Sequence, residues 1–299
     1  MFLVDPNRRF GSWLALLWLA SELVLIGCSS SPRTASTAWP SNGTGAATDS
    51  FALLREASDH EGLYTLAGGL KPMSTGIWSG SFEVDDPDLA ELRDVRAALA
   101  PLRNGTWYAD VQVFDSVHEG KRSAQAYVVH RRALATMIER FEAFWSPWGI
   151  AATTHPSEIV AVVDRMPKAD RWRGYGYLFG FPAESVDFFV EAGLAAEAGG
   201  EIGPGKDRQF IQVRTYAKES GRFTYATPLD HVRTPADEAL ANEASRILDA
   251  YAKRRARMRD VESALAEFGR LNRDFESTAI EAAEVRDAAP LPFDGERPR

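Results

Sequence analysis

Between positions 234 and 275 the apolar residues recur at helical spacing, and no other stretch restricts the fold of this chain so strongly. Thr234 is a good N-cap, Pro235 suits the first helical position, and Leu240, Ala244, Ile247, Tyr251, Met258, Val261, Leu265, Phe268 and Phe275 form one stripe. The pattern predicts a single amphipathic helix of about 40 residues, longer than most helices of globular domains. Its steps of three and four match those of a coiled-coil seam, with Arg254 and Asn272 as polar interruptions. Such a stripe must be buried, either along the core of its own domain or in self-association with a second copy as a homo-oligomer.

The segment before it alternates between helix and strand patterns. A short helix is predicted at 51–58, a strand at 77–84, a helix at 86–99, and a strand at 107–114 with Trp107, Ala109, Val111 and Val113 on one face. His118-Glu119-Gly120-Lys121 reads as a hairpin turn. Residues 122–130 fit both a strand and a helical face, and strand followed by a helix from 131 is the preferred reading. Proline start signals predict helices at 156–165 and from Phe181 to about position 198, and a hairpin at 209–216 and 222–227 turns across Glu219-Ser220-Gly221. The glycines at 199–205 mark a loop. The expected fold is therefore one α+β domain over 51–275, with an antiparallel or mixed sheet covered by helices and a long C-terminal amphipathic helix. The acidic, proline-rich residues 276–299 read as a disordered tail.

The chain has a single cysteine, Cys28, so no disulfide within it can support the fold. Arg8 and Arg9 precede an apolar stretch at 13–26, followed by Gly27 and Cys28, the layout of an export signal. Glu22 interrupts that stretch, and a mid-bilayer carboxylate costs roughly 2.5 to 3.5 kcal/mol, so a spanning helix is disfavoured. Leu25-Ile26-Gly27-Cys28 resembles the lipobox of bacterial lipoproteins. The resemblance covers only the N-terminal tenth of the chain. It implies a signal peptide at 1–27, a mature protein starting at Cys28 with acyl chains such as palmitate on it, and anchorage at the cell membrane or, with Ser29 next, the outer membrane. The serine-, threonine- and glycine-rich residues 28–50 read as a flexible tether, spanning on the order of 26 Å for a coil of that length. The membrane partner is thus expected through a lipid anchor.

A net charge of -8 argues against a nucleic-acid partner. No P-loop, nucleophile elbow or zinc-protease motif is present, and the five histidines are scattered, so neither a cofactor nor a metal is expected. Gly174-Tyr175-Gly176-Tyr177-Leu178-Phe179-Gly180 has the wrong spacing for a dinucleotide site and reads as a packing segment, with Tyr175 or Tyr177 as a candidate pocket hydroxyl. For acid–base chemistry the candidates are His130, His155 and Asp164. For an anionic envelope ligand they are Lys71 in the Gly68–Gly76 loop, Arg131 and Arg132, Arg171 and Arg173. The function expected is ligand or partner binding by a lipid-anchored envelope protein. The alternatives are a hydrolase of cell-wall or lipid material, and a structural protein self-associating through the long helix. Convergence of Lys71, His130, His155 and the arginines between 165 and 173 in one concavity would favour ligand or catalysis; dispersal would favour the structural role.

Overall fold

The computed structural model describes residues 49–197, 208–217 and 223–287. Cys28, the signal and nearly all of the tether, the 199–205 loop, the turn at 219–221 and the last part of the tail lie outside the described residues. The expected α+β class is what the structure shows. Helix α1 (Ser50–Asp59) starts on Asp49, whose carboxylate accepts from the Phe51 amide at 2.9 Å, and a single turn, α2 (Leu63–Leu66), follows. Three strands form one antiparallel sheet in the order β1-β3-β2, with β1 at Met73–Glu83, β2 at Trp107–His118 and β3 at Lys121–His130. Helix α3 (Ala90–Ala98) connects β1 to β2.

Register explains why 122–130 is strand. Ala124, Ala126 and Val128 pair with Val113, Val111 and Ala109, so two strands place small and β-branched residues on one common face. Glu119 (φ 50°) and Gly120 (φ 78°) both take positive φ at the β2–β3 turn, which a two-residue hairpin of this twist requires. The apolar face packs into the main core with Leu53, Leu63, Leu66 and Val95. Against the other face lie α4 (Arg131–Arg140) and α6 (Pro156–Arg165), with α5 (Glu142–Trp145) beside α4 and α7 (Lys168–Leu178) packed on α4 and α6. Helix α8 (Ala183–Glu197) follows, packed on a second hairpin of β4 (Arg208–Val213) and β5 (Phe223–Pro228). The glycine–aromatic segment falls in the last turns of α7, where a Cβ on Gly176 would lie 2.7 Å from Val186 of α8, so close helix packing is what the glycine permits.

The C-terminal stripe corrects an expectation. It is not one helix but two, α9 (Pro235–Arg254) and α10 (Val261–Asp287), joined by a 3-10 turn at Arg255–Arg257. They lie antiparallel, with Tyr251 stacked on Phe268 (6.1 Å) and Arg246 over Phe275 (5.5 Å). The break has a local cause. Asp260 Oδ1 accepts from the Ser263 amide (2.8 Å) while Ser263 Oγ accepts from the Asp260 amide (3.1 Å), a reciprocal cap that starts a new helix inside the periodic pattern. The stripe is spent internally: Leu240, Ala244, Ile247, Tyr251, Met258, Phe268 and Phe275 are all buried within the chain. Helix α10 also runs on to Asp287, beyond the boundary expected at 275.

Arg255 fixes the break to α1. Its guanidinium grips Asp59 with two bonds, 2.7 Å from Nε and 2.5 Å from Nη2, and the Tyr251 hydroxyl donates to the same carboxylate at 2.7 Å. Burial works to raise the Asp59 pKa, but Arg255 and Tyr251 together hold it below the usual carboxylate value. A group with a depressed folded-state pKa contributes stability above its unfolded value, and that contribution fades as pH falls through the folded one. Asp59→Asn should therefore cost about 1.5–3 kcal/mol in urea unfolding at neutral pH. The gap from wild type should close progressively as pH drops below about 4.

Candidate functional site

Strand β2 is an edge of its sheet, and its outward backbone is sealed by side chains rather than by another strand. Arg103 Nε donates to the Ala109 carbonyl (2.9 Å) and Arg96 Nη2 to that of Val111 (3.2 Å). Both arginines also hold the Asp110 carboxylate, each at 3.1 Å, and that carboxylate accepts from the Tyr108 hydroxyl (3.0 Å) and the Val111 amide (2.8 Å). Beyond Val113 the β2–β3 register shifts, and in this irregular stretch the Asp115 amide turns toward α6 and donates to Asp164 Oδ2 at 2.9 Å. Bulged strands re-aim groups in this way.

Helix α6 supplies the opposite wall. Ser157, Val160, Ala161, Asp164 and Arg165 fall on one helical face and, with residues 110–115 of β2, Arg96, Arg122 and Tyr127, line a groove of about 490 Å³. Asp164 is 9% exposed. Burial pushes its carboxyl above the usual range, against the Asp115 amide and the Arg171 guanidinium, which pull it down. Arg122 donates to the carbonyls of Phe114 (3.1 Å) and Asp115, with its guanidinium 3.7 Å from the Asp115 carboxylate. Deeper, Gln112 Nε2 donates to the Tyr175 hydroxyl at 2.6 Å, so the polar face of β2 is satisfied by α7.

The residues singled out from sequence do not converge. Asp164 lies in the groove. His130 and His155 are both helix N-caps: His130 Nδ1 accepts from the Ala133 amide (3.2 Å) to start α4, and His155 Nδ1 accepts from the Ser157 amide (3.3 Å) to start α6. His155 Nδ1 also lies 2.7 Å from Ser157 Oγ, beside the groove mouth. Lys71 is not on a surface loop at all. It is fully buried, paired with Glu61 Oε2 at 2.7 Å and lying over the Phe223 ring at 4.6 Å. Burial drives the Lys71 ammonium pKa down, and Glu61 opposes this. Arg131 covers the Tyr108 ring (5.4 Å) and donates to the Asn104 carbonyl, and Arg132 is exposed on α4. Arg171 donates to the Asp164 carbonyl (3.3 Å) from behind the groove. Arg173 pairs with Asp187 of α8, and Tyr177 stacks on Phe141 at 3.9 Å, both away from it.

Sequence reasoning missed Asp110, Asp115, Gln112, Tyr127, Ser157, Arg96 and Arg122. The available signal was the second face of β2, where Tyr108, Asp110 and Gln112 alternate with the apolar set and resemble a solvent face. A second polar cluster was also missed: Asp237 accepts from the Tyr225 hydroxyl (2.6 Å), lies 2.8 Å from His231 Nε2, and forms a reciprocal cap with Thr234 at the start of α9. Among the described residues no helix is long and apolar enough to cross a membrane, and no group of three His, Cys, Asp or Glu side chains is placed to hold a metal. No family model matches the chain, and no match is found among curated proteins or solved structures.

If His155 acts as the cap of α6, a residue with a short side-chain acceptor should replace it. His155→Ala should lower stability by about 1 kcal/mol, and His155→Asn should restore most of it, as read by urea denaturation.

Proposed function

We propose that this chain is an exported lipoprotein, acylated at Cys28 and held to a membrane of the cell envelope, whose folded part binds a polar, negatively charged envelope ligand in the groove between β2 and α6. The anchor rests on the resemblance of Leu25-Ile26-Gly27-Cys28 to a lipobox; what supports ligand binding is the groove, a concavity of small-ligand size whose walls bring Arg96, Arg122 and Arg165 together with Asp110, Asp115, Asp164 and two hydroxyl residues. Arg165 is the cation most available to a ligand, because it is exposed and no ion pair or hydrogen bond engages it among the described residues. A guanidinium offers a carboxylate or phosphate a two-pronged partner. Self-association through the C-terminal stripe is less well supported, since α9 and α10 bury that stripe against each other and the core.

Two measurements check this. Mass spectrometry of the chain recovered from membranes should show an N-terminal acylated Cys28, and Cys28→Ser should release the protein from the membrane fraction. Thermal melting of the mature Cys28→Ser chain against cell-wall glycan fragments, anionic lipid headgroups, divalent metals and nucleotides should show stabilisation by one envelope class only. At a ligand concentration near 100 times Kd the gain is about 2.7 kcal/mol. Arg165→Gln, an exposed change that adds no acid at the helix C-terminus, should remove most of it with a ligand-free melt close to that of wild type.

A further inference from the structure

We propose that the Asp164 end of the groove is an acid–base centre that hydrolyses glycosidic bonds in a carboxylate-bearing glycan of the envelope, an inference that rests on the groove being the ligand site. Asp164 and Asp115 are linked through one backbone hydrogen bond yet stand in opposite surroundings. Asp164 is nine-tenths buried on α6, with Oδ2 held by the Asp115 amide, and it lines the groove together with Asp115. The Asp115 side chain is 68% exposed, faces water and has the Arg122 guanidinium nearby. Desolvation and the Asp115 charge favour the protonated form of Asp164, against the Asp115 amide, Arg171 and Arg165, and the balance raises its pKa. Two carboxyl groups whose environments differ in this way can divide the roles of proton donor and proton acceptor, the division that glycoside hydrolysis needs.

The step balances without a cofactor. Asp164 gives its proton to the glycosidic oxygen as the bond from that oxygen to the anomeric carbon breaks, and the bonding electron pair leaves with the oxygen. A water adds its oxygen to the anomeric carbon, and its proton passes to the Asp115 carboxylate. The products are a free hydroxyl and a new reducing end. Exchange with solvent removes the proton from Asp115 and restores the one on Asp164, so one water is consumed per bond. Arg165, one residue beyond Asp164, is placed to hold a carboxylate on a neighbouring sugar, and Ser157 and Tyr127 line the groove further along.

The test uses the full mature chain in detergent with purified cell-wall glycan strands, reading both strand binding and new reducing ends. Wild type should bind and release reducing ends. Asp164→Asn and Asp115→Asn should each bind but cleave at least about 100-fold more slowly. Asp164→Asn should also lose the alkaline limb of the pH–rate profile, because that limb reports the loss of the acid's proton. Asp115 is exposed, so a loss in Asp115→Asn is not explained by misfolding even if Asp164→Asn is unstable. Binding with no reducing ends from wild type, or undiminished cleavage in either variant, would overturn the acid–base centre and leave the groove reading standing. Absence of both binding and cleavage would overturn the two together.

Discussion

A sheet of only three strands must be covered on both faces, and that constraint organises the molecule. One face carries Ala109, Val111, Ala124, Ala126 and Val128, which are apolar and small, so helices approach closely and build the main core. The other carries Tyr108, Asp110, Gln112, Gln125 and Tyr127, which can be covered only if every polar atom finds a partner. Helices α6 and α7 supply such partners, as in the Gln112–Tyr175 bond, while Arg96 and Arg103 take up Asp110 and the strand's outward carbonyls. The groove is what remains where α6 crosses the end of this polar face and β2 turns irregular. Its chemistry thus follows from the cost of covering a half-polar sheet.

The C-terminal hairpin closes the opposite side, and its polar residues act as pins. Asn272 looks like an interruption in an apolar stripe, but its side chain donates to the Leu66 carbonyl (3.0 Å) and accepts from the Gly68 amide (2.5 Å), fixing α10 to the turn before β1. Gly68 has φ 79°, and a Cβ there would meet Ile247 and Phe275 at 3.1 Å, so the turn and the hairpin fit only with glycine. Arg254 reaches Asp274 across the hairpin (2.6 Å), and Arg255 reaches Asp59. One amide and two guanidiniums therefore fix where two helices sit that burial alone would allow to slide.

The groove and the buried Lys71–Glu61 pair illustrate how burial redirects charge. Lys71 sits among Phe179 and Phe223 and depends on one carboxylate, so its ammonium is a fixed part of the packing between the turn and β5. Asp164 is also desolvated, but among the described residues no ion pair holds its carboxylate, and it lines the groove. A buried ion pair satisfied within the fold is spent; a buried carboxyl facing a concavity is available.

Elements were legible where local physics acts alone. Proline and cap signals placed α6 and the start of α9, period-two alternation placed β2, and the positive-φ turn placed the β2–β3 hairpin. The α+β class followed from these. The break at Asp260 was present in the residues as an Asp–Ser reciprocal cap, yet the unbroken apolar period concealed it, because two antiparallel helices sharing one core show the same stripe as one long helix. The site was far less legible. Asp164 was visible, but Asp115, Asp110 and Arg96 share its groove only because an edge strand, a bulge and a helix from distant parts of the chain pack together, and the basic residues that looked alike in sequence went to ring contacts, backbone carbonyls and ion pairs. By itself the sequence determined the capped helix starts, strand β2 and the core-facing stripes, and it set the expectation of a lipid-anchored export product, since these depend on neighbours along the chain. Only tertiary structure decided which polar groups became enclosed and which stayed open to a groove, because desolvation is set by what packs against a residue from elsewhere in the fold.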